Sequence, residues 1–381
     1  MFIFSRENTG ILAKWWRNVD KEVLFLFIFL FFLGLFFSFS STSSVVAEKF
    51  NKETYFFFLK HFIFVLISLF LLFFISIQNK ERIIKSLPIL FSISILLLLL
   101  VPIIGVEIKG SKRWIDLIYL PRFQPIEFVK PLFILLAAKV IVSNEKINIY
   151  KRYILSFFIL FVITILLINQ PDLGQTLLLI TTWLTMVFVS GFNMIILTFL
   201  SLIVLITLIV LIYFFPSKFG YVFLRIQTFL NPEKGDNFQS QKALEAIKQG
   251  GLTGRGMGEG ILKDKVPEAH TDYIIAVISE EFGAIFVLII AALFLFIGYK
   301  VFKKVLMTQD EFIKLSLIGL ISLMIIQTFI HIGVNIRMFP TTGMTLPFLS
   351  YGGSSLIGSA ILSGVVLNFT RKDSIRYFKN D

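Results

Sequence analysis

Three segments hold polar residues of the kinds and spacings that chemistry on an anionic or polyhydroxy substrate needs. The first is Lys109-Gly110-Ser111-Lys112-Arg113-Trp114-Ile115-Asp116, followed by residues 122–131 with Arg122, Glu127 and Lys130. Lys112 and Arg113 suit a diphosphate, the guanidinium holding two oxygens in a fork. Trp114 beside them suits an apolar platform, or simply an aromatic at a membrane edge. The second segment is Pro267-Glu268-Ala269-His270-Thr271-Asp272-Tyr273 with Ser279-Glu280-Glu281-Phe282-Gly283. Thr271 or Asp272 can cap a helix starting there. Glu280 and Glu281 fall about two turns further on in an otherwise apolar stretch, where carboxylates are costly and suggest function. The third is Arg337 followed by residues 340–355, whose small and polar side chains, Ser350 among them, permit close packing or a broken helix lining a cavity.

Several other features are weaker. GGLTGRGMGEG at 250–260 sets Arg255 among glycines that can either cradle an anion or turn tightly, and it matches neither a P-loop nor a dinucleotide fingerprint. Asp172, ahead of another apolar run, reads as a helix cap. His61 and His331 lie in apolar stretches and are expected to pack or hydrogen-bond internally, whereas His270 neighbours a carboxylate. No two-histidine metal spacing exists, and the absence of cysteine excludes a thiolate nucleophile or thiolate metal centre. A hard cation such as Mg²⁺ or Mn²⁺, which needs only one or two carboxylates plus phosphate oxygens, is compatible. No nucleotide or organic cofactor is expected.

These residues must be positioned by a membrane-embedded bundle, because 56% of the 381 residues are hydrophobic and only 16% charged. Intervals 23–47, 61–79, 86–106, 153–171, 173–217, 282–299, 315–336 and 338–370 contain no Asp, Glu, Lys or Arg, and each is long enough to cross a bilayer. Interval 173–217 is broken near Ser190-Gly191-Phe192-Asn193 into two helices. A weaker span runs from Phe128 to Val142, with Lys130 and Lys139 snorkelling or facing inward. The expected fold is therefore an all-α polytopic membrane protein, one domain over 1–381, with about ten transmembrane helices.

Basic clusters at both ends (Lys14, Arg17, Lys21; Arg371, Lys372, Arg376, Lys379) and in short loops (Lys80, Arg82, Lys85; Lys146, Lys151, Arg152; Lys300, Lys303, Lys304) put the termini, 1–22 and 371–381, in the cytoplasm. One long loop, 216–271, then lies outside, between the seventh and eighth spans. Turn signals occupy Arg225 to Gln239, and Gln241 to Lys248 has the propensity of a short helix ending at Gly250-Gly251. Outer cations concentrate there and in 105–130, which suggests an anionic ligand; the net charge of +12 is not a nucleic-acid signal.

Taken in order, KGSKRWIDL with RFQPIEFVKP, NQPDLGQT, GGLTGRGMGEG with PEAHTDYIIAVISEEFG, and FPTTGMTLPFLSYGGSS resemble the SEDS proteins (shape, elongation, division and sporulation), peptidoglycan polymerases of the bacterial inner membrane. The likeness covers about residues 15 to 371. KWWRNVDKEVLFLF…SVVAEKF and MTLPFLSYGGSS are more similar to the division-type FtsW branch than to elongation-type RodA. Tyr273 stands where Phe is usual, and Ile126 replaces a common Ser.

The resemblance implies a ten-helix enzyme that polymerises lipid II into β-1,4 glycan at the periplasmic face. It also implies septal location and partnership with a class B penicillin-binding protein and other divisome membrane proteins. The family's essential aspartate corresponds to Asp272 and its essential tryptophan to Trp114. Asp272 would then be the general base or the ligand of a divalent ion, with Lys112, Arg113 and Arg255 as diphosphate contacts. Glu127, Lys130, His270, Glu280, Glu281 and Ser350 complete the candidate substrate-binding set. Ten helices with internal carboxylates also suit a lipid II flippase, and a third reading is a non-catalytic scaffold that recruits a transpeptidase.

Overall fold

Long apolar runs leave the backbone no partner in lipid except itself, so they become helices. The structure, a computed structural model, describes residues 10–41, 55–108, 111–117, 120–143, 148–214, 216–231, 238–262 and 266–372. Lys109, Lys146, Lys234, Lys263, Lys265, Arg376 and Lys379 lie outside the described residues. An amphipathic helix α1 (Ile11–Asn18) leads into α2 (Lys21–Ser41), α3 (Phe56–Ile77) and α4 (Lys80–Ile104). Three short strands follow, β1 (Gly105–Ile108), β2 (Ser111–Leu117) and β3 (Leu120–Phe123), then α5 (Ile126–Ile141), α6 (Ile149–Asn169), α7 (Leu173–Val189) and α8 (Met194–Phe214). Helices α9 (Pro216–Leu230), α10 (Phe238–Gly250), α11 (Ile274–Met307), α12 (Glu311–Asn335) and α13 (Gly353–Phe369) complete the chain.

Among the described residues, α2, α3, α4, α6, α11 and α12 are long and apolar enough to cross a membrane. The protein is polytopic. Large apolar side chains such as Phe70, Leu288 and Ile154 remain exposed on the helix flanks, as lipid-facing residues do. The interior is closed by aromatic packing, with Phe348 stacked on Phe27 at 5.6 Å between centroids and meeting the edge of Phe31 at 5.0 Å. Helix α13 lies along α3, and α12 packs against α11, α7 and α5. As the serine and glycine break predicts, α7 stops at Val189, and Gly191 takes φ +83° before α8.

The three-stranded antiparallel sheet, in the order β1-β2-β3, corrects the all-α expectation. Seven-residue β2 is too short and too charged to register as a strand against the surrounding apolar runs. Loop 216–271 also holds more helix than expected. Helix α9 covers Pro216–Leu230, including part of the segment read as turns, and α10 begins at Phe238 rather than Gln241. Its end is as expected: Gly251 at φ +56° lies just past Gly250.

The two ends of the bundle differ. At one, Lys80 pairs with Asp310, Lys304 with Asp20 at 2.9 Å and Lys300 with Glu22 at 2.5 Å, while Arg371 donates to the Ser76 carbonyl. At the other end lie the sheet, the starts of α3, α11 and α13, and a large cleft.

Helix α11 is interrupted by Gly283, at φ +83° and ψ 170°. The glycine-rich segment repairs this break with its own backbone. Arg255 and Gly256 donate their N–H groups to the Glu280 and Glu281 carbonyls, and Ala284 and Ile285 donate theirs to the Gly251 and Leu252 carbonyls. The two backbones pack so closely that a Cβ on Gly254 would strike the Glu281 carbonyl. Those glycines therefore serve close approach to a helix kink.

Candidate active site

The cleft has a volume of about 750 Å³ and is walled by β2, α5, α7, α9, the 268–273 turn and the 341–355 segment. The strand delivers two adjacent residues to it by an irregularity. Regular strands point neighbours to opposite faces, but the β1–β2 register jumps from Val106↔Trp114 to Glu107↔Lys112, so that Arg113 is an extra, bulged residue. Arg113 and Trp114 consequently both line the cleft, while Lys112 points out and is exposed.

Arg113 is held rigidly. Its Nε donates to the Gln170 carbonyl at 3.1 Å and one terminal nitrogen donates to the Pro171 carbonyl, leaving Nη1 turned toward Gly343. A Cβ built on Gly343 would lie 3.6 Å from that nitrogen and 3.5 Å from Oδ2 of Asp272. The guanidinium and the carboxylate thus flank a single glycine, itself at φ +67°.

Asp272 sits on a turn whose carbonyls are fixed one after another. Tyr351 N–H donates to His270 O at 2.9 Å, Ser350 Oγ to Thr271 O at 2.7 Å, and Asn335 Nδ2 to Asp272 O at 3.1 Å. The cap position of α11 belongs to Tyr273 and carries no side-chain cap bond, so neither Thr271 nor Asp272 fills that role. Burial, and after it the charge of Asp272, push the Tyr273 phenol up, and burial pushes Tyr351 up to about 12; both remain neutral donors.

Asp172 does cap a helix, accepting from Gln175 N–H at 3.4 Å, and also accepts from Gln124 Nε2 at 3.2 Å. Burial raises its carboxyl above the usual range, against the lowering pull of Arg113.

Deeper in the bundle, Glu127 accepts from Gln175 Nε2 at 3.0 Å and pairs with Lys130 at 2.9 Å, one helical turn away on α5. Lys130 also donates to Gln327, whose amide donates to Thr345 O at 2.9 Å. Glu127 lines the cleft, and Lys130 neutralises it from within.

Of the residues singled out from the sequence, Asp272, Arg113, Trp114, Glu127 and His270 come together in the cleft. Lys112 does not, because of the bulge. Arg255 is exposed and contributes its backbone to the α11 repair. Glu280 is buried away from the cleft, accepting the Ile261 and Leu262 N–H groups at 2.8 Å each, and Glu281 is bonded by Ser40. Both carboxylates fasten chain segments. Ser350 is likewise a positioning residue, bridging Thr271 O and Leu346 N.

The sequence reading missed Lys60, which lines the cleft, and Asn335, which holds the aspartate turn, and it counted Arg225, also in the lining, only among the outer cations that suggest an anionic ligand. Arg225 lay in a segment read as turns; its regular helical apolar spacing on α9 was the available signal. Arg225 now donates to Thr341 O at 3.1 Å. His61 is buried against Tyr351, as expected, whereas His331 both bonds the Met344 carbonyl and lines the cleft.

Among the described residues, no cluster of three or more His, Asp or Glu side chains could enclose a metal. A cation held by Asp272 would have to draw most of its ligands from phosphate and water, which suits Mg²⁺ or Mn²⁺.

A multi-helix membrane bundle with one anchored carboxylate facing a fixed arginine describes a class of membrane-embedded proteins. The family model described as "Cell cycle protein", of the FtsW/RodA/SpoVE type, matches residues 21–375, and the chain belongs to that family. A Caulobacter vibrioides protein named "Probable peptidoglycan glycosyltransferase FtsW" is 33% identical over 369 residues, covering 97% of this chain and 93% of that one. A mutant of the Thermus thermophilus rod shape determining protein RodA superposes with TM-score 0.68 at 25% identity, covering 92% of this chain and 97% of that one. A chain from a solved peptidoglycan synthase complex shares the fold with TM-score 0.74 at 24% identity, covering 95% and 99% respectively.

Proposed function

We propose that this chain is a peptidoglycan glycosyltransferase of the division type, polymerising lipid II into β-1,4-linked glycan at the outer face of the bacterial inner membrane. The observation that carries the reading is the anchored Asp272 facing Arg113 across Gly343 in a cleft of about 750 Å³. In the reaction the 4-hydroxyl oxygen of the acceptor sugar attacks the anomeric carbon of the donor. Asp272 takes the hydroxyl proton, the anomeric C–O bond to diphosphate breaks, and undecaprenyl diphosphate leaves with the bonding pair. Arg113 and Arg225 lie where that growing negative charge is stabilised, and Trp114 offers a flat apolar wall for sugar or lipid. No second carboxylate is needed, because a sugar hydroxyl rather than water is the nucleophile.

The topology has ten crossings, the six long helices plus α5, α7, α8 and α13. The basic end, with Lys80, Lys300, Lys304 and Arg371, faces the cytoplasm with both termini. The cleft and the 216–271 loop then face the periplasm. A single-pass class B penicillin-binding protein is the partner, crosslinking the product with other divisome proteins at the septum. A divalent ion, if bound, would be held by Asp272 and would supply further charge neutralisation.

Purified protein in detergent, given lipid II with and without the cognate transpeptidase and with and without chelator, tests the reading. Glycan formation that Asp272→Ala abolishes supports a polymerase. Flipping only in sealed vesicles, or no glycan from any form of the complex, replaces it with the transporter or the scaffold. Loss on chelation with recovery on Mg²⁺ or Mn²⁺ shows that a divalent ion takes part; insensitivity leaves Asp272 the base role.

A further inference from the structure

Helix α9 carries an apolar face that the chemistry above does not use. Each residue turns a helix by about 100°, so Phe223, Gln227 and Leu230 share one side of α9, with Leu224 and Ile226 at its edges. Phe223 is 56% exposed, Leu224 60% and Leu230 67%, and Ile226 and Gln227 are exposed beside them. The reverse side holds Val222, Arg225, Thr228 and Phe229, the first buried and the other three half-buried. From that side Arg225 lines the cleft and donates to the Thr341 carbonyl. Arg225 therefore points about 140–160° away from Phe223 and Leu230.

What covers the apolar face follows from where α9 starts. One residue separates its first position, Pro216, from Phe214, the last of α8. The start of α9 thus stands within about 7 Å of the end of that crossing. Helix α8 ends in Tyr213 and Phe214, both exposed, and aromatic rings with a polar tip favour the lipid–water boundary. The exposed apolar surface runs from there onto α9 without leaving the membrane edge. Residues 216–230 contain Lys218 and Arg225 and no carboxylate, a composition that suits phosphate headgroups. The single amide in the stripe, Gln227, is at home at headgroup depth.

We infer that α9 is an arm seated in the lipid leaflet at the cleft end of the bundle, and that this seat holds Arg225 at the depth of lipid phosphates. The face made by Phe223, Leu224, Ile226 and Leu230 sinks about 5–10 Å into the boundary between headgroups and acyl chains. A polyprenyl diphosphate moving sideways within the leaflet then meets the guanidinium at the level of its own diphosphate. The role given to Arg225 deepens the proposed function and rests on it, whereas the seat needs only the crossing by α8.

The chain has no cysteine, so single spin labels read the depth directly. Full-length protein carrying Phe223→Cys, Leu230→Cys or, as a control exposed to water, Lys248→Cys is labelled and reconstituted into vesicles of phosphatidylethanolamine and phosphatidylglycerol. At 223 and 230, collisions with oxygen, which dissolves in lipid, are expected to exceed those with a water-soluble nickel chelate several-fold, and at 248 the order reverses. Chelate dominating at 223 and 230, or neither probe reaching them, overturns the seat; the second result hands the face to a second copy or another part of this chain. Binding of sugar-free polyprenyl diphosphate in the same vesicles tests the arginine. Phe223→Ser with Leu230→Ser is expected to weaken it about tenfold at an unchanged thermal midpoint, as Arg225→Gln does, and all three together no further. Phe223→Leu with Leu230→Met, which keeps the face apolar, is expected to bind within about twofold. Unaltered binding by the serine pair, or losses that multiply, detaches Arg225 from the leaflet seat. Neither measurement needs turnover, so a protein that forms no glycan sinks the catalytic reading and leaves both results readable.

Discussion

Replacing Asn335 is the sharpest way to ask whether Asp272 acts from a fixed position. One buried amide serves three backbone groups: Nδ2 donates to Asp272 O at 3.1 Å and to His331 O at 2.8 Å, and Oδ1 accepts from Ala276 N at 3.2 Å. Asn335→Ala removes the amide donor to the Asp272 carbonyl, at about 1–3 kcal/mol for a buried group, whereas the Ala276 N–H keeps the Tyr273 carbonyl at 3.0 Å. Asn335→Asp retains the acceptor for Ala276 but turns an oxygen toward the Asp272 and His331 carbonyls in a fully buried site, so it removes the positioning bond and costs more stability than alanine does. A displacement of about 1 Å at a reacting group costs on the order of 10²-fold, and kcat for lipid II polymerisation is expected to fall by about that factor in both variants, with KM little changed. Thermal unfolding run alongside separates stability from catalysis. A lowered midpoint with kcat within about twofold of the unmutated value would refute the positioning argument and leave Asn335 as packing.

Asp272→Asn keeps shape while removing the proton acceptor, and polymerisation is expected to drop by about 10²–10⁴-fold with an unchanged thermal midpoint. Arg113→Ala is expected to cost about 10²-fold in kcat/KM, with Arg113→Lys recovering only part, because one ammonium cannot reach the Gln170 and Pro171 carbonyls and still face Gly343. Glu280→Ala releases two backbone N–H groups, so limited proteolysis should open cleavage within 251–262, whereas Glu280→Gln, which keeps an acceptor oxygen, should resist it.

What the sequence revealed and what it hid follow from the range of the interactions concerned. Hydrophobic run length is a local property, and it located every long apolar helix, including α5 with its two lysines and the break between α7 and α8. The cluster of Asp272, Arg113 and Trp114 was reached through ordered motifs. Asn335 and Gln175 were not singled out, because each matters through a carbonyl or carboxylate far away in the chain. Lys112 and Arg255 were misjudged for a related reason: charge and spacing cannot tell which side of a bulged strand a residue faces, or that a glycine-rich stretch offers its main chain rather than its side chains. Glu280 and Glu281 were rightly marked as costly carboxylates, yet the reason for them is attachment of segments about 20 and 240 residues away.

The interruption at Gly283 makes the glycine-rich segment a splint across a fractured rod. The short piece of α11 that begins beside Asp272 and the long piece that descends toward the basic end are joined by four main-chain bonds to residues 251–256 as well as by covalent continuity. A displacement of residues 251–256 would therefore load both pieces, the short one beside the aspartate through the Glu280 and Glu281 carbonyls and the long one through the Ala284 and Ile285 N–H groups.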